Sequence, residues 1–207
     1  MIKVHHLNNS RSQRILWLLE ELELPYEVVK YQRDAQTNFA PPELRAVHPL
    51  GKSPVLSDGD QVIAESGAIV EIMTKRYGRD RLAPAEGTMA HDRYIEWLHF
   101  AEASAMLPLI LALYTSRLGE AAAPIAPRIK SEIDNQLSYM NNEIEKGGYL
   151  MGAEFSAADI QNSFVLEAAR IGGYLDQYAN LLDLLTRLQA RPAYQRALEK
   201  GGTYIFA

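Results

Sequence analysis

The chain has 207 residues, no cysteine, and 21 Lys+Arg against 26 Asp+Glu, for a formal net charge of −5. A hydrophobic content of 47% with 23% charged residues excludes a disordered chain, and the length is enough for one large domain or two small ones. Mild acidity argues against a nucleic-acid-binding role. The absence of cysteine excludes a disulfide framework, a Cys-ligated metal and a protein thiol nucleophile, so any thiol chemistry must use a thiol brought by a ligand. A cysteine-free chain is compatible with a cytoplasmic address. No apolar run is expected to reach the roughly 18 residues of a membrane span, and Met1 leads directly into alternating sequence with no signal-peptide pattern.

Residues Ile2 to Leu7 alternate as a strand. Asn8, Asn9 and Ser10 follow with turn and cap chemistry, and Ser10 or Ser12 is expected to cap the next helix. Ile15, Leu18, Leu19 and Leu22 then form one apolar helix face that Pro25 stops. Tyr26 to Tyr31 reads as a second strand, giving a right-handed βαβ unit. A polar loop holding Pro41-Pro42 leads to a hairpin, Ser53 to Leu56 and Gln61 to Ala64, turned at Asp58-Gly59-Asp60. Ser66 is expected to cap a helix carrying Ile69, Ile72 and Met73.

Residues 1–80 therefore form one small mixed α and β domain, and the Pro- and Gly-bearing segment 81–87 reads as a linker. Residues 88–207 are helical by period. Tyr94, Trp97, Leu98, Ala101 and Ala105 start a long stripe that Pro108 should bend. Further stripes run through Ile129 to Ile144, Ile160 to Ile171 and Leu181 to Leu188, and Pro192 opens a last short helix. Ser156 with Asp159 three residues on reads as a variant capping box, structural rather than catalytic.

Three local signals carry potential chemistry. The Asn9-Ser10-Arg11-Ser12 segment places hydroxyls and N–H groups at a helix start, where an anion is favoured. Pro54, between a polar loop and a strand, is a candidate cis-proline, although an ordinary trans edge-strand proline explains it too. Glu65-Ser66 at a helix start suits an amino acid, with Ser66 and the N–H groups on its carboxylate and Glu65 on its ammonium. The histidines lack metal-ligand spacing, and no metal site is expected.

In this order, the signals resemble the soluble glutathione S-transferases, of the serine type with a bacterial cast. The resemblance spans essentially the whole chain. It rests on Ser10-Arg11-Ser12-Gln13-Arg14 before Ile15-Leu16-Trp17-Leu18-Leu19-Glu20-Glu21, on His48-Pro49-Leu50-Gly51-Lys52-Ser53-Pro54-Val55-Leu56, on Glu65-Ser66-Gly67-Ala68-Ile69, and on Phe155-Ser156-Ala157-Ala158-Asp159 with Arg191-Pro192-Ala193-Tyr194. It implies an α+β fold: a thioredoxin-like N-terminal domain and an all-α C-terminal domain. It implies glutathione as co-substrate, held mainly by the first domain, with a small hydrophobic electrophile in an apolar site between the two.

Position by position, the resemblance puts Glu65 and Ser66 on the γ-glutamyl end, and Lys52 on the glycyl carboxylate. It makes Pro54 the cis-proline and Ser53 the residue whose backbone pairs with the cysteinyl unit. Arg11 adds positive potential. Ser10 matches the serine that meets the sulfur, with Ser12 and Asn9 as rivals. Phe100, Met106, Leu107 and Ile110, with the tail at Tyr204 and Phe206, are expected to shape the electrophile site. The implied activity is conjugation of the glutathione thiolate, with a glutathione-dependent peroxidase activity as a variant. The competing readings are a non-catalytic interaction module and a ligand carrier. A homodimer is expected, with no nucleic-acid or membrane partner.

Overall fold

The computed structural model describes residues 1–79 and 81–207. They divide into two compact units, Met1–Arg81 with Gln189–Ala207, and Leu82–Leu188.

The first unit is built on a four-stranded sheet of order β2-β1-β3-β4, with β1 at Ile2–Leu7, β2 at Tyr26–Tyr31, β3 at Val55–Asp58 and β4 at Gln61–Ala64. β1 and β2 are parallel, Ile2 opposite Tyr26. They are joined by helix α1 (Ser12–Glu21), because parallel neighbours need a crossover. β3 runs antiparallel to β1, with His5 opposite Val55, and β4 closes the hairpin. The short α2 (Leu44–Val47) and the helix α3 (Ser66–Tyr77) complete this part of the chain. The expected strands and the expected helix order are all present. Ile15 to Leu19 are fully buried, because α1 packs on β1 and α3 on one side and on the C-terminal helix on the other.

The second unit is helical: α4 (Met89–Phe100), α5 (Met106–Thr115), α6 (Ala126–Glu143), α7 (Ala157–Ile171) and α8, which starts at Ala179 and ends at Gln189. A π turn, Ala101–Ala105, joins α4 to α5 just ahead of Pro108. The bend expected from Pro108 is thus taken up as a widened turn before the residue that cannot donate. Ser156 and Asp159 form the expected capping box: Asp159 accepts from the Ser156 N–H at 2.8 Å and from the Leu150 N–H at 2.9 Å. Burial pushes the Asp159 carboxyl up to about 6, against those N–H bonds, which hold it down.

Two expectations need correction. The helix from Pro192 was assigned to a helical domain of residues 88–207, but α9 (Pro192–Gly201) and the tail after it belong to the first unit. The reason is a set of ion pairs to α1. Arg191 grips Glu21 with two bonds, at 2.6 and 2.9 Å, and Glu20 accepts from Arg196 at 2.8 Å and from Lys200. The boundary at residue 80 itself lies outside the described residues. The second correction concerns apolar length. The helical run Met89–Ala122 reaches a mean hydropathy of 1.3 over a window of membrane-spanning length, which the charges scattered along it conceal from a search for an unbroken apolar run. It buries Tyr94, Trp97, Leu98, Ala101, Ala105, Met106 and Leu109 and packs on α6 and α7, but only 33% of that window is buried, and Leu107, Leu113, Tyr114 and Leu118 are exposed.

Candidate active site

The C-terminal end of β1 gathers three of the expected site residues around the backbone of one residue, Leu7. The Leu7 N–H donates to the hydroxyls of Ser53 at 3.2 Å and Ser12 at 3.3 Å. The Leu7 carbonyl accepts from Ser10 Oγ at 2.7 Å and from Ser12 Oγ at 3.3 Å. Ser53 Oγ also donates to the His5 carbonyl at 2.8 Å. The Ser53–Pro54 bond is cis, as the resemblance implied. The turn after β1, the start of α1 and the loop before β3 are therefore tied to each other through Leu7.

By the helix bounds Arg11 holds the N-cap position with no side-chain capping bond and Ser12 is the first helical residue, so Ser12 does not cap α1. Ser10 supplies the capping bond expected of it. Ser10 Oγ accepts from the Ser12 N–H at 3.2 Å and lies 2.8 Å from Ser12 Oγ. Ser10 is 4% exposed and Ser12 is wholly buried. Ser12 Oγ sits 2.8 Å from His6 Nδ1. Burial, with the Lys30 charge, lowers the His6 pKa to about 4 against a bond to the Gly201 backbone, so the ring is neutral near pH 7.

Asn9 differs from both serines. It is half-exposed, and its backbone is in the left-handed region at φ 51°, which asparagine tolerates better than most residues. Its Oδ1 accepts from the Ile205 N–H at 3.0 Å. Its Nδ2 donates to no other group among the described residues. Arg33, unremarked in the sequence, fastens this turn: its backbone N–H donates to Asn8 Oδ1 at 2.8 Å, and its Nε to the Asn8 carbonyl at 3.2 Å.

At the start of α3, Ser66 is the first helical residue and Glu65 the N-cap, one position earlier than expected. Glu65 is exposed and left-handed at φ 67°, a strained conformation for a residue with a Cβ. Ser66 is 4% exposed, and its hydroxyl accepts from Arg14 Nη2 at 2.8 Å. Arg14 is 2% exposed. A buried cation under a helix N-terminus makes that end strongly favourable to a carboxylate. In the sequence Arg14 stands out only as the end of the Ser10–Arg14 motif, because a contact across 52 positions leaves no periodic trace. Lys52 is exposed beside Ser53.

Of the residues expected to shape the electrophile site, Phe100, Met106, Leu107 and Ile110 lie in the second unit, and Tyr204 and Phe206 in the first. Phe100 packs edge-on against Trp97 at 5.2 Å between ring centres and tilts against Tyr139 at 5.5 Å, in a cluster that Arg93 covers. Met106 is 4% exposed, Ile110 is half-buried and Leu107 is 54% exposed. Leu107, and in part Phe100 and Ile110, have apolar surface to offer a ligand, whereas Met106 is core. No cluster of three or more His, Asp or Glu side chains able to hold a metal occurs among the described residues.

A four-stranded mixed sheet with a cis-proline before β3, followed by a helical unit, defines a thioredoxin-like protein with a helical domain appended. Comparison with known proteins identifies which. Residues 1–72 match the model of the glutathione S-transferase N-terminal domain, and residues 103–192 that of the C-terminal domain. Glutathione S-transferase 3 of Schizosaccharomyces pombe is 38% identical over 97% of this chain and 88% of its own. Glutathione S-transferase 1 of Saccharomyces cerevisiae is 34% identical over 97% of this chain and 95% of its own. A crystal structure of a glutathione S-transferase from Actinobacillus pleuropneumoniae superposes with a TM-score of 0.90 and 36% identity, over 100% of this chain and 95% of that one. The chain belongs to the glutathione S-transferase family.

Proposed function

We propose that this chain binds glutathione along the edge formed by the β1–α1 turn, the Lys52-Ser53-Pro54 segment and the start of α3, and conjugates its thiolate to small hydrophobic electrophiles. The γ-glutamyl carboxylate sits at Ser66 on the N-terminus of α3, where the buried Arg14 adds its charge, and Glu65 takes the ammonium. Lys52 meets the glycyl carboxylate, and the backbone of Ser53 pairs with the cysteinyl unit. The single observation that carries this reading is Arg14 donating to Ser66 at the start of α3, beside a Glu65 held in strain.

The sulfur then lies at the β1–α1 turn. A free thiol titrates near ~8.5, so most of it is protonated at neutral pH. A hydrogen bond to a charged acceptor contributes roughly 1.5–3 kcal/mol and a helix N-terminus ~0.3–1 kcal/mol, together enough to lower that pKa by about 2. Asn9 Nδ2 is the donor we assign to the sulfur. Ser10 and Ser12 turn their hydroxyls inward and hold the turn, and Arg11 adds positive potential at the helix start. The thiol proton leaves to solvent. The thiolate attacks the electrophilic carbon, the C–S bond forms, and the leaving group departs with the electron pair of its bond. The same thiolate can attack the terminal oxygen of an organic hydroperoxide: the O–O bond breaks, the alkoxide leaves and takes a proton from solvent, and the thiol of a second glutathione displaces the sulfenic oxygen as water to give the disulfide. Leu107 and Ile110 offer apolar surface to the electrophile.

The protein works as a homodimer in the cytoplasm under this reading; the exposed Leu113, Tyr114 and Leu118 are apolar surface of the kind a second copy covers. Titration calorimetry with glutathione, alongside conjugation to an activated aryl halide, tests the proposal. Wild type should bind glutathione, and Ser66→Ala should weaken binding roughly tenfold or more. A wild-type protein that does not bind glutathione would overturn it in favour of a non-catalytic module.

A further inference from the structure

The tail after α9 makes one polar contact that the transferase reaction does not require by itself. Ile205 donates its backbone N–H to Asn9 Oδ1 at 3.0 Å, across 196 positions of sequence. An amide side chain has an acceptor end and a donor end of nearly the same shape, and its neighbours decide which way it faces. An N–H aimed at Asn9 accepts only one answer: Oδ1 toward the tail and Nδ2 away from it. Resting on the sulfur-donor reading of Asn9, we propose that the Ile205 N–H is a positioning group, which holds the Asn9 amide with its donor end turned to the glutathione thiolate. With that N–H gone, the amide is free to turn, and in the turned state it presents an electron-rich oxygen to the sulfur, which disfavours the charged form.

The tail is built to hold this position. Tyr204 to Ala207 form a turn, with the Ala207 N–H directed to the Tyr204 carbonyl at 3.4 Å. Gln189 Nε2 donates to the Phe206 carbonyl at 3.4 Å. The Tyr204 and Phe206 rings meet at 5.3 Å between centres. Behind the tail, α9 is latched to α1 by Glu20 and Glu21 with Arg191, Arg196 and Lys200. Its last residue, Gly201, fits so closely that an added Cβ would lie 2.5 Å from Gln13 Oε1. The helix end that delivers the tail is therefore fixed in register against the helix that starts at the sulfur site.

Ile205 is the second residue of its turn, a position where proline is favoured, so Ile205→Pro removes the N–H and keeps the turn. A chain ended after Thr203 removes the same N–H by a different route. The readout is the ultraviolet absorbance of the thiolate of bound glutathione as a function of pH, a property that a purely structural role of the tail would leave alone. In both variants the thiolate pKa should rise by about 1 relative to wild type, the amount one weakened charge-assisted bond represents. A wild-type pKa well below that of the free thiol, unchanged in both variants, overturns the inference and leaves the transferase reading standing. A wild-type complex whose glutathione titrates like the free thiol overturns both.

Discussion

Leu7 is the residue through which the site is assembled, and it offers only its backbone. Its N–H serves Ser12 and Ser53 and its carbonyl serves Ser10 and Ser12, so three side chains from two distant segments converge on one residue. This division of labour separates the half-exposed Asn9 from its buried serine neighbours. Glu65 carries the clearest residue-scale prediction. At φ 67° a Cβ is unfavourable, by about 1–3 kcal/mol, and glycine relieves that strain while losing the carboxylate. Glu65→Gly should unfold at equal or higher urea concentration than wild type and bind glutathione roughly tenfold more weakly, the loss of about 1.4 kcal/mol. Destabilisation with unchanged affinity would show that Glu65 serves the fold instead. The sequence made Glu65, Ser66 and Lys52 visible because they sit in contiguous motifs. Arg14, Arg33 and Ile205 were not visible as site residues, since each acts through a partner dozens of positions away or through its backbone.

Among the elements, local signals were the legible ones. Strand alternation at Ile2–Leu7, the Asp58-Gly59-Asp60 turn and the Ser156–Asp159 box are each written within ten residues, and each is present as read. The assignment of α9 failed for the complementary reason: its amphipathic pattern announces a helix but not the surface it covers, and its partners Glu20 and Glu21 lie some 170 positions earlier. The capping box gives a simple test of helix energetics. Ser156→Ala removes the acceptor for the Ala158 N–H, 3.3 Å away, while leaving the Ser156 N–H on Asp159. It should lower stability by about 1 kcal/mol, measured by urea unfolding, with glutathione affinity unchanged. A loss of affinity without a loss of stability would give this box a role in binding that its geometry does not provide.

Across the whole molecule, each unit contains one buried group whose titration opposes the other's. His6 is held at about 4, below its ordinary 6.5, so the unfolded chain binds the extra proton between those values and stability falls as pH drops through that window. Asp159 is held at about 6, above its ordinary 3.8, so the folded chain binds the extra proton and stability rises as pH drops from 6 towards 4. The two contributions largely cancel between pH 4 and 6. Asp159→Asn should therefore make stability fall more steeply on acidification than in wild type, by up to about 1.4 kcal/mol per pH unit, and His6→Gln should make it fall less steeply. Urea midpoints at several pH values check both, and two variants with the wild-type slope would show that neither group is perturbed.

Under the proposed function, the β1–α1 turn stabilises a glutathione thiolate through Asn9. The most direct measurement is the pH titration of bound glutathione by thiolate absorbance in wild type, Asn9→Asp and Ser10→Ala. The account predicts a wild-type pKa about 2 below the ~8.5 of a free thiol, a return to the free value or above it in Asn9→Asp, and a pKa still lowered in Ser10→Ala. A pKa restored by Ser10→Ala and left low by Asn9→Asp would contradict it and place the sulfur on the serine hydroxyl.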